Sequence, residues 1–244
     1  MTLNIIGIGL NDEKDITLKG LELIQNSDYV YLENYTSKLN CPIENLEKLY
    51  KKKIILADRN LVENKTDEIL NQAKTKNVSL LIIGDPFSAT THITLLLKAK
   101  EMKIKTQIIN NASILTAMGI TGLELYKFGK TTSIPFNHKN IKTPIEALKN
   151  NQKINLHTLF LLDLNPKENK FLTINEAAKY LIENKVKKET LAIGLTQLGS
   201  DNPEIKTSSL ENLTKLKFNK YPQSLIIPGK LHFIEEEAIT RFKK

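Results

Sequence analysis

The stretch from Leu80 to His92 constrains the fold more than any other. Leu80-Leu81-Ile82-Ile83 is an apolar run of strand type that ends in Gly84-Asp85-Pro86. The polar Ser88-Ala89-Thr90-Thr91-His92 then opens a helix whose apolar positions Ile93, Leu96 and Leu97 fall at i, i+3 and i+4. The order is strand, sharp turn, helix. In an open parallel sheet, ligands bind in the crevice outside the carboxyl ends of the strands, and this turn would line it. An ionisable Asp85 in such a turn points to a ligand rather than to packing.

At 244 residues the chain is long enough for one large or two small α/β domains. No stretch approaches the ~18 uninterrupted apolar residues that a membrane span needs, and Met1-Thr2-Leu3-Asn4-Ile5 enters a strand without a basic leader. The expectation is a soluble cytoplasmic protein with no membrane partner. A single cysteine, Cys41, excludes internal disulfides and multi-cysteine zinc sites. His92, His138, His157 and His232 have no metal-ligand spacing, so the expected mechanism is metal-free. The net charge of +8 comes almost entirely from lysine. It reads either as a solvated lysine-rich surface or as steering toward an acidic macromolecule. Aromatics are not interleaved with basic residues as a single-strand binder needs, so nucleic acid is not an expected partner.

Read in order, Thr2–Gly9 is a buried first strand, Asp15 a helix cap, and Leu18, Leu21 and Ile24 the sheet-facing side of the next helix. Tyr29–Leu32 is the second strand. Gly7-Ile8-Gly9 lacks the third glycine of a dinucleotide fingerprint, and tight packing and ligand contact both remain open for it. Glu33-Asn34-Tyr35-Thr36-Ser37, at a carboxyl end, is either an ordinary loop or a functional one. A helix near 43–50, a strand at 54–56, a helix near 66–76 and a strand at 105–109 complete a parallel sheet wrapped by helices. Ser113 caps a helix running toward Gly119 and Gly122, and the domain boundary falls near residue 111, giving domains 1–111 and 112–244.

In the second half, 132–136, 157–163, 190–195 and 221–230 read as strands. Capping boxes are expected at Thr143/Glu146, Thr173/Glu176 and Ser208/Glu211. The final helix turns Ile234, Ala238 and Phe242 inward, and Glu235, Glu236 and Glu237 suit its positive end. His157 reads as a capped strand start. His92 reads as a first-turn helix residue bonded to backbone, whereas His232, at a strand-to-helix turn, is placed to meet a ligand.

Taken together, Gly7-Ile-Gly-Leu10, Glu33-Asn-Tyr-Thr36, Gly84-Asp-Pro-Phe-Ser-Ala-Thr-Thr-His92, Ser113-Ile114, Gly119–Leu123 and Pro228-Gly-Lys-Leu-His232 resemble one family along nearly the whole chain. That family is the diphthine synthases, of the tetrapyrrole-methylase-like class of S-adenosylmethionine-dependent methyltransferases. The resemblance implies an α/β fold of two α/β domains, with the cofactor S-adenosyl-L-methionine in the cleft between them, and a homodimer. It also implies the reaction: methylation of the amino group of a 3-amino-3-carboxypropyl arm on a histidine of translation elongation factor 2, giving diphthine. Carried over by position, the cofactor contacts fall on Leu10, Asp85, Ser88, Ser113, Ile114, Leu162, Leu195 or its neighbour Thr196, and His232. Two departures stand out: Ile83 where relatives often have proline, and Thr196-Gln197 where they tend to have Ala-Arg.

Methyl transfer from a sulfonium to an amine is an in-line displacement, so alignment is the main task. The amine can lose its proton to water, and no residue is assigned as catalytic. A carboxylate close to the sulfur would favour the ground state, so Asp85 is expected to orient the cofactor through hydrogen bonds. The alternatives are a corrin- or sirohaem-pathway methyltransferase of the same fold and a non-catalytic nucleic-acid-binding protein.

Overall fold

In the computed structural model, which describes residues Met1–Lys244, the chain divides into two units, Met1–Leu115 and Thr116–Lys244. The apolar runs of the first unit become the strands β1 (Thr2–Gly7), β2 (Tyr29–Glu33), β3 (Ile55–Ala57), β4 (Asn77–Ile82) and β5 (Lys105–Ile109). Between them lie the helices α1 (Leu18–Gln25), α2 (Ile43–Tyr50), α3 (Thr66–Ala73) and α4 (Ile93–Glu101). The sheet order is β3-β2-β4-β1-β5 and every pairing is parallel. All five strands therefore end on one edge.

Alternation along the central strands divides the core in two. Leu3 and Ile5 join Leu80, Ile82, Ile69 and Leu95 on one face. Ile6 and Ile8 join Leu81, Val30, Ile24 and Leu46 on the other. A parallel sheet covered on both faces needs near-continuous apolar strands, which is why β1 and β4 were legible as runs. Each fully buried Ile or Leu stabilises the unit by about 2 kcal/mol. Ile83 packs into the second of these cores, so the usual proline is replaced by a core side chain.

Several local expectations are corrected. Asp15 caps nothing; it ends a 3-10 turn, and Thr17 caps α1 by accepting from Gly20 N. Leu18 is 87% exposed, while α1 buries Ile24 as expected, together with Gly20, and Leu21 packs partly buried against the core. Residues 88–92 form a turn, and α4, starting at Ile93, buries Leu95 and Ala99 while Ile93 and Leu97 stay exposed.

A short helix, α5 (Ile114–Ala117), leads into the second unit, where Gly122, at φ +86°, ends the 3-10 turn Met118–Thr121. There follow β6 (Thr132–Ile134), α6 (Thr143–Lys153), β7 (Thr158–Leu162), the small pair β8 (Leu164–Asn165) and β9 (Lys170–Phe171), and α7 (Ile174–Glu183). Then come β10 (Leu191–Thr196), β11 (Glu204–Ser209), α8 (Leu210–Leu213), β12 (Gln223–Ile227) and α9 (Phe233–Thr240). The main sheet, β11-β10-β12-β7-β6, is mixed: β6 and β7 are parallel, and the other pairs are antiparallel. Phe160, Leu162, Ala192 and Leu225 pack there with Ile174, Ala177 and Leu181 of α7.

Of the three expected capping boxes only Thr173/Glu176 forms. Thr143 is already the first helical residue, ahead of Pro144, and makes no cap bond. At the third, the cap is Ser209, the last residue of β11, accepting from Asn212 N. A box that the sequence did not announce closes at His232/Glu235. In α9 the buried residues are Glu235 and Ile239, and Ile234 is exposed. No helix is long and apolar enough to cross a membrane.

Candidate active site at the strand ends

In the first unit the loops that leave β1, β4 and β5 are laced together by three side chains. Asp85 is buried, and each of its oxygens receives two donors: Phe87 N and Ser88 Oγ, both at 3.0 Å, reach Oδ1, while Asn110 Nδ2 at 2.9 Å and Asn111 N at 3.2 Å reach Oδ2. Burial alone would raise this carboxyl, but the four bonds outweigh it and hold Asp85 below its ordinary value, ionised. A carboxylate has about four lone-pair sites. All are in use here, so Asp85 orients the turns around it.

Asn111 extends the lacing: its Nδ2 donates to Gly7 O at 3.0 Å and to Asp15 O at 2.9 Å. Asp15 in turn accepts from Leu10 N at 3.0 Å and Asn11 N at 2.7 Å. Neither Asn111 nor this role of Asp15 was singled out from sequence. Their only signal was a polar cluster after an apolar strand.

The two glycines left open by the sequence are packing residues. A Cβ at Gly7 would lie 2.6 Å from Gly84 O, and one at Gly9, where φ is +78°, would lie 2.3 Å from Asp15 Cβ. Their neighbour in space behaves differently. Gly84, at φ +89°, pairs with Gly9 through Gly84 N donating to Gly9 O at 2.7 Å, yet a Cβ there would meet nothing nearer than Leu10 Cδ2 at 3.6 Å. Gly84 is buried, and a Cβ there would sit in ordinary van der Waals contact, unlike the clashes at Gly7 and Gly9. The loops laced together here also carry Leu10 and Ile114, both partly exposed, and the hydroxyls of Ser88 and Ser113, the latter accepting from Leu115 N at 3.1 Å. Apolar surface for a purine beside hydroxyl and backbone groups for an amino-acid end fits an adenosyl sulfonium such as S-adenosylmethionine.

The loop after β2 belongs to the same edge. Glu33, fully buried, accepts from Tyr35 N at 2.7 Å, Thr36 N at 2.8 Å and the Thr36 hydroxyl. His92 caps the last turn before α4 as expected of a backbone-bonded histidine: its Nδ1 donates to Pro86 O at 3.3 Å. Its Nε2 lies 3.9 Å from Glu33 Oε2 and has no hydrogen bond.

In the second unit the assigned residues occupy two different edges. β7 and β10 both run antiparallel to β12, so Leu162, Leu195 and Thr196 stand at or near one edge, all three buried. His232 follows the carboxyl end of β12 and lies beside the start of β7, at the other edge. It is a helix cap there, with its N–H donating to Glu235 Oε2 at 2.8 Å. Thr196 Oγ1 accepts from Glu204 N at 3.3 Å, and Gln197, where relatives tend to have arginine, donates Nε2 to Tyr221 O at 3.0 Å.

The same edge as His232 holds a buried ionic group missed from sequence. Glu235 accepts from His157 Nε2 and Glu124 N, both at 2.9 Å, from His232 N, and from Lys127 Nζ. His157 Nδ1 accepts from Gly229 N at 2.9 Å, which fixes the neutral tautomer with the proton on Nε2. Burial lowers the His157 pKa in the same sense. Burial alone would raise Glu235, but its donors prevail and hold it at about 2. This group ties α9 to the start of β7 and serves structure.

The family model described as Tetrapyrrole (Corrin/Porphyrin) Methylases matches residues 2–214. The chain is 41% identical to a diphthine methyl ester synthase of Dictyostelium discoideum, over 100% of this chain and 98% of that protein. It is 42% identical to a diphthine synthase of Methanosarcina barkeri, over 98% and 95% respectively. A crystal structure of diphthine synthase superposes with a TM-score of 0.94 at 39% identity, covering 100% of this chain and 96% of the other.

Proposed function

The chain belongs to the tetrapyrrole methylase family, among the diphthine synthases, and from that premise we propose that it methylates the amino group of a 3-amino-3-carboxypropyl-histidine on elongation factor 2. The methyl donor is S-adenosylmethionine, and repeated transfer gives diphthine. The observation that carries the reading is the laced edge of the parallel sheet, where Asp85 and Asn111 fix three strand-end loops beside the Gly84 turn. Such a pre-set frame suits a displacement whose barrier falls mainly through alignment.

Leu10, Ser88, Ser113 and Ile114 hold the donor, which supplies an electrophilic methyl group when bound. Asp85 acts by setting the turns. Keeping its charge engaged by four protein donors keeps it from stabilising the sulfonium ground state. Leu162, Leu195, Thr196 and His232 are assigned by the resemblance, together with a homodimer working in the cytoplasm. The experiment is mass spectrometry of elongation factor 2 bearing the aminocarboxypropyl arm, after incubation with this protein and isotope-labelled donor. Successive labelled methyl increments are expected on the arm, and a fourth increment would mark a methyl ester. An unchanged mass, with methylation of a corrin precursor instead, would overturn the proposal.

A further inference from the structure

Of the loops at the carboxyl edge of the parallel sheet, the one after β2 is built differently. Glu33 folds its carboxylate back onto the loop's own donors, Tyr35 N, Thr36 N and the Thr36 hydroxyl. On one side stands the His92 ring, bonded through Nδ1 to Pro86 O and facing Glu33 Oε2 with Nε2. On the other, the Arg59 guanidinium lies 5.2 Å from the centre of the Tyr35 ring, and Tyr35 donates its hydroxyl to Glu63 at 3.3 Å. The loop is therefore fixed from both sides. Within it one polar atom has no partner: Asn34 Oδ1 is buried and makes no hydrogen bond. Leaving a buried carbonyl oxygen unpaired costs free energy that folding alone does not return, which is a reason to look for a ligand there.

We propose that Asn34 Oδ1 accepts a hydrogen bond from the amine that is methylated, and that Glu33 and His92 are positioning residues that hold its loop against the Gly84-Asp85-Pro86 turn. The inference rests on the reading of the chain as an amine methyltransferase. An amide oxygen offers lone pairs and no proton. It selects an N–H and turns the nitrogen lone pair toward the donor. In each round the lone pair of the neutral amine forms the new N–C bond and the C–S bond of the sulfonium breaks with its electrons left on sulfur; after the first and second transfers the product ammonium releases a proton to water, and the third leaves a quaternary ammonium with no proton to release. A primary amine has two N–H groups, a secondary one has one, and a tertiary one has none. Asn34 therefore assists the first and second transfers and has nothing to hold in the third.

The test follows each methyl increment over time on modified elongation factor 2 with the wild-type chain, Asn34→Ala and Asn34→Asp, with donor binding measured by calorimetry. Asn34→Ala is expected to slow the first two transfers about tenfold, the worth of one hydrogen bond, while leaving the third and donor affinity unchanged. Asn34→Asp, which keeps an acceptor oxygen, recovers most of the loss. Equal slowing of all three steps, or of none, overturns the inference and leaves the methyltransferase reading standing. A wild-type chain that never modifies the factor overturns both.

Discussion

Gly9 and Gly84 share left-handed backbone and a pair of hydrogen bonds, yet they serve different ends. At Gly9 a side chain would collide with Asp15, whereas at Gly84 there is room for one. Gly9→Ala should therefore lower stability by about 2 kcal/mol or more, through strain and displacement of Asp15. Gly84→Ala should cost only about 1 kcal/mol from its positive φ. The second substitution should nevertheless weaken S-adenosylmethionine binding more, because its methyl group would press on Leu10 and the Ala112 carbonyl, beside the residues proposed to hold the donor. Thermal unfolding and calorimetry on the two variants check this; equal losses of affinity per unit of lost stability would contradict the separate roles. From sequence, Asp85 was readable as a strand-end turn residue because it follows an apolar strand and precedes proline. That all four of its lone-pair sites serve the protein was not readable, since Asn110 and Asn111 reach it from 25 and 26 residues away.

Strands were easier to read than helix faces, for one shared reason. α1, α4 and α9 each bury an i, i+4 pair in which one member is not a large apolar residue: Gly20 with Ile24, Leu95 with Ala99, Glu235 with Ile239. Counting apolar side chains at helical spacing therefore placed Ile24 rightly but drew in Leu18, Ile93 and Ile234, all exposed. Ile24→Ala should cost about 2–4 kcal/mol by urea unfolding and Leu18→Ala under about 0.5 kcal/mol; comparable costs would restore the sequence reading, which turned both residues inward. The glutamate on the buried face of α9 has a pH signature. Glu235 falls from an ordinary 4.5 to about 2 on folding, so its contribution, on the order of 3 kcal/mol, is complete above pH 4.5 and is lost as pH falls toward 2. His157, lowered by burial, adds loss as pH falls below its ordinary 6.5, because the unfolded state then binds the proton more readily. Unfolding midpoints from pH 7 to 2 should show both limbs in the native chain, and Glu235→Gln should flatten the lower one. An unchanged lower limb would assign the acid loss elsewhere.

Across the whole molecule, the family motifs sort by role once the sheets are drawn. Gly84–His92, Glu33–Thr36 and Ser113-Ile114 all fall on the carboxyl edge of one parallel sheet, as a strand-turn-helix reading of the first half requires. The second half was less legible, because β11 is a polar strand and the antiparallel course of β12 sends His232 to the opposite edge from Leu162 and Thr196. Antiparallel pairing leaves no signature in the spacing of apolar residues, so which end a loop leaves from had to come from the structure. The claim on which the functional account stands is that the carboxyl edge of the first sheet receives the methyl donor. A crystal structure with S-adenosylhomocysteine tests it most directly: the ligand is expected against the Gly84 backbone, within contact of Leu10, Ser88, Ser113 and Ile114. Density for it at the amino ends of those strands, or on the surface away from Gly84, would contradict the account.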